Sequence, residues 1–408
     1  MNENTVLVWL LVLGTGLYGA IFFIPFTYIE RRYRTTHMRD VFFAALVWVV
    51  IEYIRSQYVL IGYGWGTIGY TLVDATMLRG NALIVGVYGL SFLIVTMNMF
   101  ITLMYERLHD MPFRQYISQV RTLFLSRDER YWTISFVILW FIAIVNGIFG
   151  HAFITAQASG DTPLHVATVV AGTAKNPTSG ELYFEYRTQL MTLFKTHQNT
   201  ELVLLPENVF PFFVVEEETQ KLFDAQIVPM EKREEYYNNF LVLTALHPNA
   251  VFAVGLHTVS SGELYNSLVF YKNRVIIDVL HKQKLVPFFE YAPLGLPIPL
   301  YESLSHGREG QVIDFSGRTL GMLMCSEISD GGILSDEKIT IILSPSNDAI
   351  FSGTTAGRFH DTFARMRAIE SGAYVLRANK GSFSSVIDPS GNVLSSGYGD
   401  AIIFQTIN

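Results

Sequence analysis

Long, almost uninterrupted apolar runs dominate the first 151 residues of the chain. Val6–Tyr28, Ala82–Met104 and Trp132–His151 are each long enough to cross a hydrocarbon core of about 30 Å as a helix. A shorter run, Val41–Ile54, contains an acidic residue and is the weakest of the four. The pattern therefore predicts a transmembrane helical domain over residues 1–155, with about four spans.

Arginines are concentrated in two of the three loops between these runs. The first loop contains Arg31, Arg32, Arg34 and Arg39, and the third contains Arg107, Arg114, Arg121, Arg127 and Arg130. Because cytoplasmic loops are enriched in Lys and Arg, we expect both loops to be cytoplasmic and both termini to lie outside. No Lys or Arg precedes the first run, which favours a retained helix over a cleaved signal peptide.

The pattern changes after residue 160 to short β-rich runs separated by turns. Strands are predicted at Val166–Val170, Leu202–Leu205, Val251–Leu256, Leu268–Tyr271, Val275–Leu280, Leu320–Met324 and Ile339–Leu343. Helices are predicted at Tyr183–Thr196, Glu216–Phe223, Glu231–Leu246 and Phe359–Ser371. Near-continuous apolar strands are covered on both faces, so residues 160–408 are expected to form a layered α/β sandwich with helices outside.

The composition excludes several classes of protein. Hydrophobic residues make up 50 % of the chain and charged residues only 16 %, against about 25 % in soluble domains. This excludes a disordered chain, a coiled coil and an ordinary soluble enzyme. With 29 basic and 36 acidic residues and no basic block, a nucleic-acid partner is not expected. Cys325 is the only cysteine, so no intrachain disulfide can form.

Three short segments place reactive side chains next to apolar strands. Glu207 ends the first strand, Lys282 and Lys284 follow the second, and Cys325 ends the third. Taken singly, each has an ordinary structural interpretation. The segment with Glu207 is typical of a turn, the lysines are typical of a solvated strand edge, and the cysteine is typical of core packing. Together they supply a carboxylate base, an ammonium group and a thiol.

These segments resemble the nitrilase (carbon–nitrogen hydrolase) superfamily, whose Glu-Lys-Cys triad occurs in this order. More narrowly, the chain resembles the membrane-anchored branch of apolipoprotein N-acyltransferases over residues 41–105 and 164–395. The resemblance is carried by Ala45–Tyr63 (with Trp48, Glu52, Tyr53, Arg55 and Gly62), Gly86–Leu93, Lys282-x-Lys284-Leu285-Val286-Pro287 with Glu290, Cys325-x-Glu327-Ile328, Ser346–Ala349, His360 and Ala364–Glu370.

The resemblance implies a nitrilase-like αββα sandwich and a catalytic triad of Glu207 as general base, Lys282 as oxyanion stabiliser and Cys325 as nucleophile. Lys282 is preferred to Lys284 because the family's lysine lies eight residues before the glutamate that matches Glu290. By the same resemblance Glu290 holds the lysine, and Glu327 orders the loop after the nucleophile. The alternative for both is a surface or capping carboxylate.

The chemistry of these groups agrees with the implied roles. A free thiol with a pKa of about 8.5 needs a nearby base at neutral pH, and Glu207 can serve if burial raises its pKa. Lys282 and the backbone N–H of Ser326 can receive the oxyanion. The intermediate is a thioester at Cys325, in a ping-pong reaction that needs no metal and no organic cofactor.

The resemblance also implies the substrates and the location. The donor is a phospholipid acyl chain, and the acceptor is the N-terminal amine of a diacylglyceryl-cysteine on a lipoprotein. The enzyme is then a multi-pass protein of the bacterial inner membrane with its catalytic domain on the periplasmic face. The apolar loops Val209–Val215 and Val286–Leu300 either face lipid or pack inward. Substrate contacts are expected at Phe288, Phe289, Tyr291 and Asn347.

The chain departs from the family pattern in several places. It has about half the usual number of membrane spans. Ile350 stands where the family commonly has an aromatic residue, and Lys380 replaces a small or amide residue. Two other classes of function remain open: a membrane-tethered amidase or carbon–nitrogen hydrolase that passes the acyl group to water, and a non-catalytic binding module that would tolerate loss of Cys325.

Overall fold

The structure, a computed structural model, describes most of the chain. The described residues are 37–57, 64–109, 126–157, 162–171, 179–210, 213–216, 222–223, 230–287, 289–291, 303–334, 338–351, 354–399 and 401–408, with isolated residues between 16 and 28 and at 118 and 121. They divide into two compact units, Met1–Ala152 and Phe153–Asn408.

The first unit is helical. Its main helices are α1 (Met38–Gln57), α2 (Ala82–Leu108) and α3 (Arg127–Gln157). Among the described helices, α2 and α3 contain apolar stretches long enough to cross a membrane, at Ala82–Leu108 and Glu129–Ile154. The helix α1 covers the predicted span Val41–Ile54 but is not among the described helices that are long and apolar enough to cross a membrane. Most of the predicted span Val6–Tyr28 lies outside the described residues.

Two charged residues of α1 bind the segment that follows it. The Glu52 carboxylate accepts a hydrogen bond from the backbone N–H of Ile68 at 2.9 Å. The Arg55 guanidinium donates to the backbone oxygen of Trp65 at 2.6 Å. Both side chains are buried. They therefore fix the entry into the 3₁₀ turn Ile68–Leu72, which explains two ionisable residues in an apolar helix.

The second unit alternates strands and helices. Its described strands are β1 (Leu164–Ala171), β2 (Leu202–Leu204), β3 (Phe213–Val215), β4 (Leu222–Phe223), β5 (Val251–Ser260), β6 (Glu263–Lys272), β7 (Val275–His281), β8 (Val312–Phe315), β9 (Arg318–Met322), β10 (Ile341–Asn347), β11 (Tyr374–Lys380), β12 (Ser384–Ile387), β13 (Val393–Gly397) and β14 (Ala401–Ile407). Its described helices are α4 (Ser179–Thr196), α5 (Met230–Leu246) and α6 (Ala356–Ser371).

The strands form two layers that meet where β1 pairs with β11. One layer runs β14-β1-β2-β5, with the β6-β7 hairpin beyond β5. The other runs β13-β12-β11-β10-β9-β8. The central pairs β1-β2, β2-β5, β9-β10 and β10-β11 are all parallel. Parallel strands end at a common edge, so the residues that follow them are brought together.

Side-chain alternation along the strands separates two apolar cores. In β2, Leu202 and Leu204 point into a core that also contains Met322 and Leu376 of the other layer. The intervening Val203 belongs to a second core beneath α4 and α5. Both faces of this sheet are therefore buried, as its apolar strands predict. With α6 outside the other layer, the expected αββα sandwich is confirmed.

One local prediction is wrong, and one open alternative is decided for the residues that the structure describes. Glu216–Phe223 is predicted to be helical, but within it Leu222–Phe223 forms β4, antiparallel to β3. Because β3 itself pairs with the end of β5, the segment extends the sheet and does not cover it. Within the loop Val209–Val215, the described side chains of Val209, Phe210 and Val214 are buried and pack inward. Residues 292–300 of the other apolar loop lie outside the described residues.

Candidate active site

Glu207 lies three residues beyond β2, where the backbone still runs against β5. Leu205 donates a backbone hydrogen bond to Ala253 at 2.8 Å, and Val209 donates to Gly255 at 2.9 Å. A Cβ atom added to Gly255 would lie 2.4 Å from the Pro206 backbone oxygen and 2.6 Å from the Glu207 Cα. Only glycine leaves room for the backbone of Pro206 and Glu207 to pass this close to β5. This close contact fixes the position of Glu207.

Replacing Gly255 with alanine is therefore expected to displace Glu207. A shift of about 1 Å in a catalytic group can cost about 10²-fold in rate, so we expect the rate of a reaction that uses Glu207 to fall by roughly that factor and the melting temperature to fall by several degrees. Gly397→Ala in β13 is the matched control, since its new Cβ would meet mainly the Ile403 side chain, at 3.3 Å. Equal activity losses in the two variants would contradict the role of Gly255 in positioning Glu207.

Glu207, Lys282 and Cys325 are brought together. The Lys282 Nζ lies 3.8 Å from the Glu207 Oε1, and the Cys325 thiol lies close enough to the Glu207 carboxylate for each group to shift the pKa of the other. Lys282 is 1 % exposed and Glu207 is 5 % exposed. Three residues that are far apart in the sequence thus form one cluster, in which the carboxylate and the ammonium are buried and the residue that carries the thiol is partly buried.

Glu290 and Asn266 complete the surroundings of the lysine. The Lys282 Nζ donates to the Glu290 Oε1 at 2.9 Å, and Glu290 also accepts the backbone N–H of Val286 at 2.7 Å. The amide of Asn266, in β6, donates to Glu207 at 2.7 Å and to Glu290 at 2.9 Å. Glu290 thus contacts the lysine directly, and Asn266 belongs to the same network although the sequence does not indicate it.

Cys325 occupies an unusual backbone position. Its φ is 52°, in the left-handed region that non-glycine residues rarely adopt. It begins the 3₁₀ helix Cys325–Ser329 after β9, and the first N–H groups of a helix have no partner within it. The backbone N–H of Ser326, the second residue of that helix, is therefore suited to receive an oxyanion formed near the sulfur.

Glu327 joins the loop of the lysine to the loop of the cysteine. Its Oε1 accepts the backbone N–H groups of Gln283 at 2.7 Å and Lys284 at 2.8 Å. Its Oε2 accepts the N–H of Met324 at 2.8 Å. Burial raises the pKa of this carboxyl to about 7, against the opposing influence of Lys282 and of these hydrogen bonds. The carboxyl is 1 % exposed, which excludes the surface-carboxylate interpretation.

The surroundings of the cluster raise the pKa of both Lys282 and Glu207, which favours a charged lysine and makes Glu207 a stronger base. Burial raises the pKa of Glu207 above its ordinary value. Burial alone would lower the pKa of Lys282, but Glu290 and Glu207 outweigh it and raise this pKa well above the ordinary value. Burial and the charge of Glu207 raise the pKa of the Cys325 thiol well above its ordinary value, so the thiol is protonated at rest and needs a base.

A second buried network of hydrogen bonds is centred on Asp348, just after the end of β10. Asp348 accepts hydrogen bonds from Arg377 at 3.0 Å and Asn379 at 2.6 Å, and its other oxygen pairs with the His360 ring at 2.8 Å. Burial opposes ionisation, but these partners outweigh it and lower the pKa of Asp348 to about 2. This permanent charge contributes to the raised pKa of Cys325.

The expected substrate contacts are described only in part. Phe289, Tyr291 and Asn347 are half-buried, and the Tyr291 ring packs edge-on against His306 at 5.4 Å between centroids. Phe288 and the side chain of Ile350 lie outside the described residues. Among the residues that the structure describes, no group of three or more His, Cys, Asp or Glu side chains could hold a metal ion.

The sequence matches two family profiles. Residues 176–401 match the carbon-nitrogen hydrolase profile. The chain belongs to the carbon–nitrogen hydrolase family. Residues 1–100 match the profile described as the N-terminal domain of apolipoprotein N-acyltransferase, so the resemblance to that membrane-anchored branch of the family is confirmed.

Two relatives by sequence are apolipoprotein N-acyltransferases. The chain is 24 % identical to an apolipoprotein N-acyltransferase of Nitrosomonas europaea over 86 % of its own length and 65 % of the relative's. It is 23 % identical to that of Aquifex aeolicus over 87 % of its own length and 73 % of the relative's. The chain thus spans about two thirds of the length of these relatives. A carbon-nitrogen hydrolase structure from Helicobacter pylori is 18 % identical, with a TM-score of 0.47, over 60 % of this chain and 90 % of that chain.

Proposed function

We propose that the protein is an N-acyltransferase that moves a fatty acyl chain from a phospholipid, through a thioester on Cys325, to the N-terminal amine of a diacylglyceryl-cysteine lipoprotein. The observation that carries the proposal is the cluster of Cys325, Glu207 and Lys282. The matches to apolipoprotein N-acyltransferases support the choice of substrates.

In the first half-reaction, Glu207 removes the thiol proton as the sulfur attacks the acyl carbonyl. The Lys282 ammonium and the backbone N–H of Ser326 stabilise the oxyanion that develops. When the tetrahedral intermediate collapses, the carbon–oxygen ester bond breaks, and the leaving lysophospholipid oxygen takes the proton from Glu207. The acyl group remains on Cys325 as a thioester.

In the second half-reaction, the same groups act on the acceptor. The neutral amine of the lipoprotein attacks the thioester carbonyl and gives a proton to Glu207. The carbon–sulfur bond breaks, and Glu207 returns the proton to the departing sulfur. The cycle restores the protonated thiol and leaves an amide, with no net change at the protein.

We infer a multi-pass location in the bacterial inner membrane with the catalytic domain on the periplasmic face. Support comes from the two apolar helices at Ala82–Leu108 and Glu129–Ile154 and from the arginine-rich loops predicted to be cytoplasmic. In this location the triad and its lipoprotein acceptor share one compartment.

The test is acyl transfer by the purified full-length protein in mixed micelles of detergent and phospholipid. A synthetic diacylglyceryl-cysteine peptide serves as acceptor, and mass spectrometry follows its gain of one acyl chain. We expect acylated peptide to accumulate only when both lipid and peptide are present. Release of free fatty acid at the same rate without the peptide, or turnover of simple amides alone, would identify a hydrolase and contradict the proposal.

A further inference from the structure

A second lysine lies at the edge of the sheet where the triad is assembled. Lys380 is the last residue of β11, in register with Ala171 at the end of β1 and with Asn347 at the end of β10. Its backbone oxygen accepts the N–H of Asp348 at 2.8 Å. The parallel strands of both layers end at this edge, so the residue lies among the loops that carry the catalytic groups.

The side chain of Lys380 is half-buried and faces carboxylates without a direct contact. Glu185 of α4 and Glu207 both act on it electrostatically. The structure gives its ammonium no hydrogen bond and no ion pair within 4.0 Å among the described residues. Burial is the main reason that its pKa is lowered. A partly desolvated ammonium without a close counter-ion is costly to the folded protein, and this cost would be offset by a bound anion.

The charges around the triad indicate which kind of ligand Lys380 is suited to bind. Glu207 and Glu290 both lie within 4.0 Å of the single ammonium of Lys282, and Lys284 is engaged by Asp330 at 2.7 Å. An anionic substrate that approaches Cys325 therefore meets an excess of negative charge. Lys380 is a cation on the same edge that can offset it.

We propose that Lys380 binds the phosphate of the acyl donor while the ester next to it is attacked by Cys325. The inference rests on the proposed function, because it assigns one group of that substrate to one side chain. Lysine is a common point-charge ligand for phosphate. The acceptor amine would gain nothing from this residue, since two ammonium groups repel each other.

The experiment compares two acyl donors with identical chains, phosphatidylglycerol and diacylglycerol, in the full-length protein. The readout is the ratio of their kcat/KM values for acyl transfer to the peptide. We expect Lys380→Asn to lower this ratio about tenfold, the size of one lost charged hydrogen bond, through a higher KM for phosphatidylglycerol. Lys380→Arg should keep most of the wild-type ratio. The exposed Lys272, at the end of β6, provides the control Lys272→Asn.

The outcomes separate this role from others. An unchanged ratio in Lys380→Asn, or an equal fall in kcat for both donors, would overturn the inference and indicate a structural role or an influence on Glu207. If inorganic phosphate inhibits the wild type but not Lys380→Asn, and the donor ratio is the same in both, the lysine binds a free anion and not the donor, which also overturns the inference. Failure of the proposed function is distinguishable, because the wild type would then transfer acyl groups from neither lipid.

Discussion

Replacing Cys325 with alanine is expected to abolish acyl transfer, with kcat lower by about 10⁴-fold or more. The reason is that Cys325 is the only cysteine in the chain and the only thiol that can form the intermediate. The measurement is intact-mass analysis after incubation with phospholipid and no acceptor. The wild type should gain the mass of one fatty acyl group, and hydroxylamine should remove it. The alanine variant should gain none.

The control is to show that the alanine variant is still folded. Cys325 is only partly buried, so a thiol-to-methyl change should leave the circular dichroism spectrum intact and lower the melting temperature by no more than a few degrees. An acyl adduct on the alanine variant, or undiminished transfer to the peptide, would rule out the thioester. A folded wild type that transfers acyl groups without ever carrying one would require direct transfer between substrates.

The position of the triad is predictable because each of its members follows an apolar strand. Glu207, Lys282 and Cys325 lie just beyond β2, β7 and β9, and strands of one direction end at one edge. Strands β2 and β9 are recognisable in the sequence by their apolar residues, most of which are buried. Strand β7 is largely exposed and is recognisable by its β-branched residues. The strand ends indicate where reactive side chains gather, but the choice of Glu207, Lys282 and Cys325, and of Lys282 over Lys284, rests on the resemblance to the nitrilase superfamily.

The role of Asn266 could not be predicted in the same way. It lies within β6, next to Ser267 and near other polar residues, and nothing local distinguishes it. Its contact with Glu207 depends on the pairing of β6 with β5, in which Asn266 faces His257. Such a contact is a property of strand register across the sheet, which a single sequence does not specify.

The error at Leu222–Phe223 has a similar origin. A run of glutamates with apolar residues at helical spacing predicts a helix, but two apolar residues here pair with β3. Local propensity is a weak guide when an open strand edge is available to a short segment. The backbone of Cys325 is a further case, because its left-handed φ reflects the turn from β9 into a 3₁₀ helix.

Two variants of the triad should both lose acyl transfer but change the reactivity of the thiol in opposite directions. The pKa of Cys325 is raised mainly by burial and next by the charge of Glu207, whereas the charge of Lys282 lowers it. Removing the negative charge in Glu207→Gln should therefore lower the thiol pKa. Removing the positive charge in Lys282→Met should raise it.

Alkylation by iodoacetamide as a function of pH measures this pKa, since the thiolate is the reactive form. At a fixed pH below the wild-type midpoint, Glu207→Gln should be alkylated faster than the wild type and Lys282→Met more slowly. Acyl transfer should fall in both, by about 10²–10⁴-fold for the lost base and about 10²–10³-fold for the lost oxyanion ligand. The exposed residues Glu309 and Lys272 supply the controls Glu309→Gln and Lys272→Met, which should leave the alkylation midpoint unchanged.

The opposite shifts distinguish catalytic roles from a general loss of structure. A variant that merely loosens the site would expose the thiol, and both substitutions would then move its pKa toward the ordinary value of a free cysteine. If both midpoints fall together while both variants keep the wild-type circular dichroism spectrum and melting temperature, Lys282 does not stabilise negative charge at the reacting atoms, and its assignment to the oxyanion is wrong. If the Glu207→Gln midpoint rises, Glu207 is uncharged in the resting protein and cannot be the base that starts the reaction.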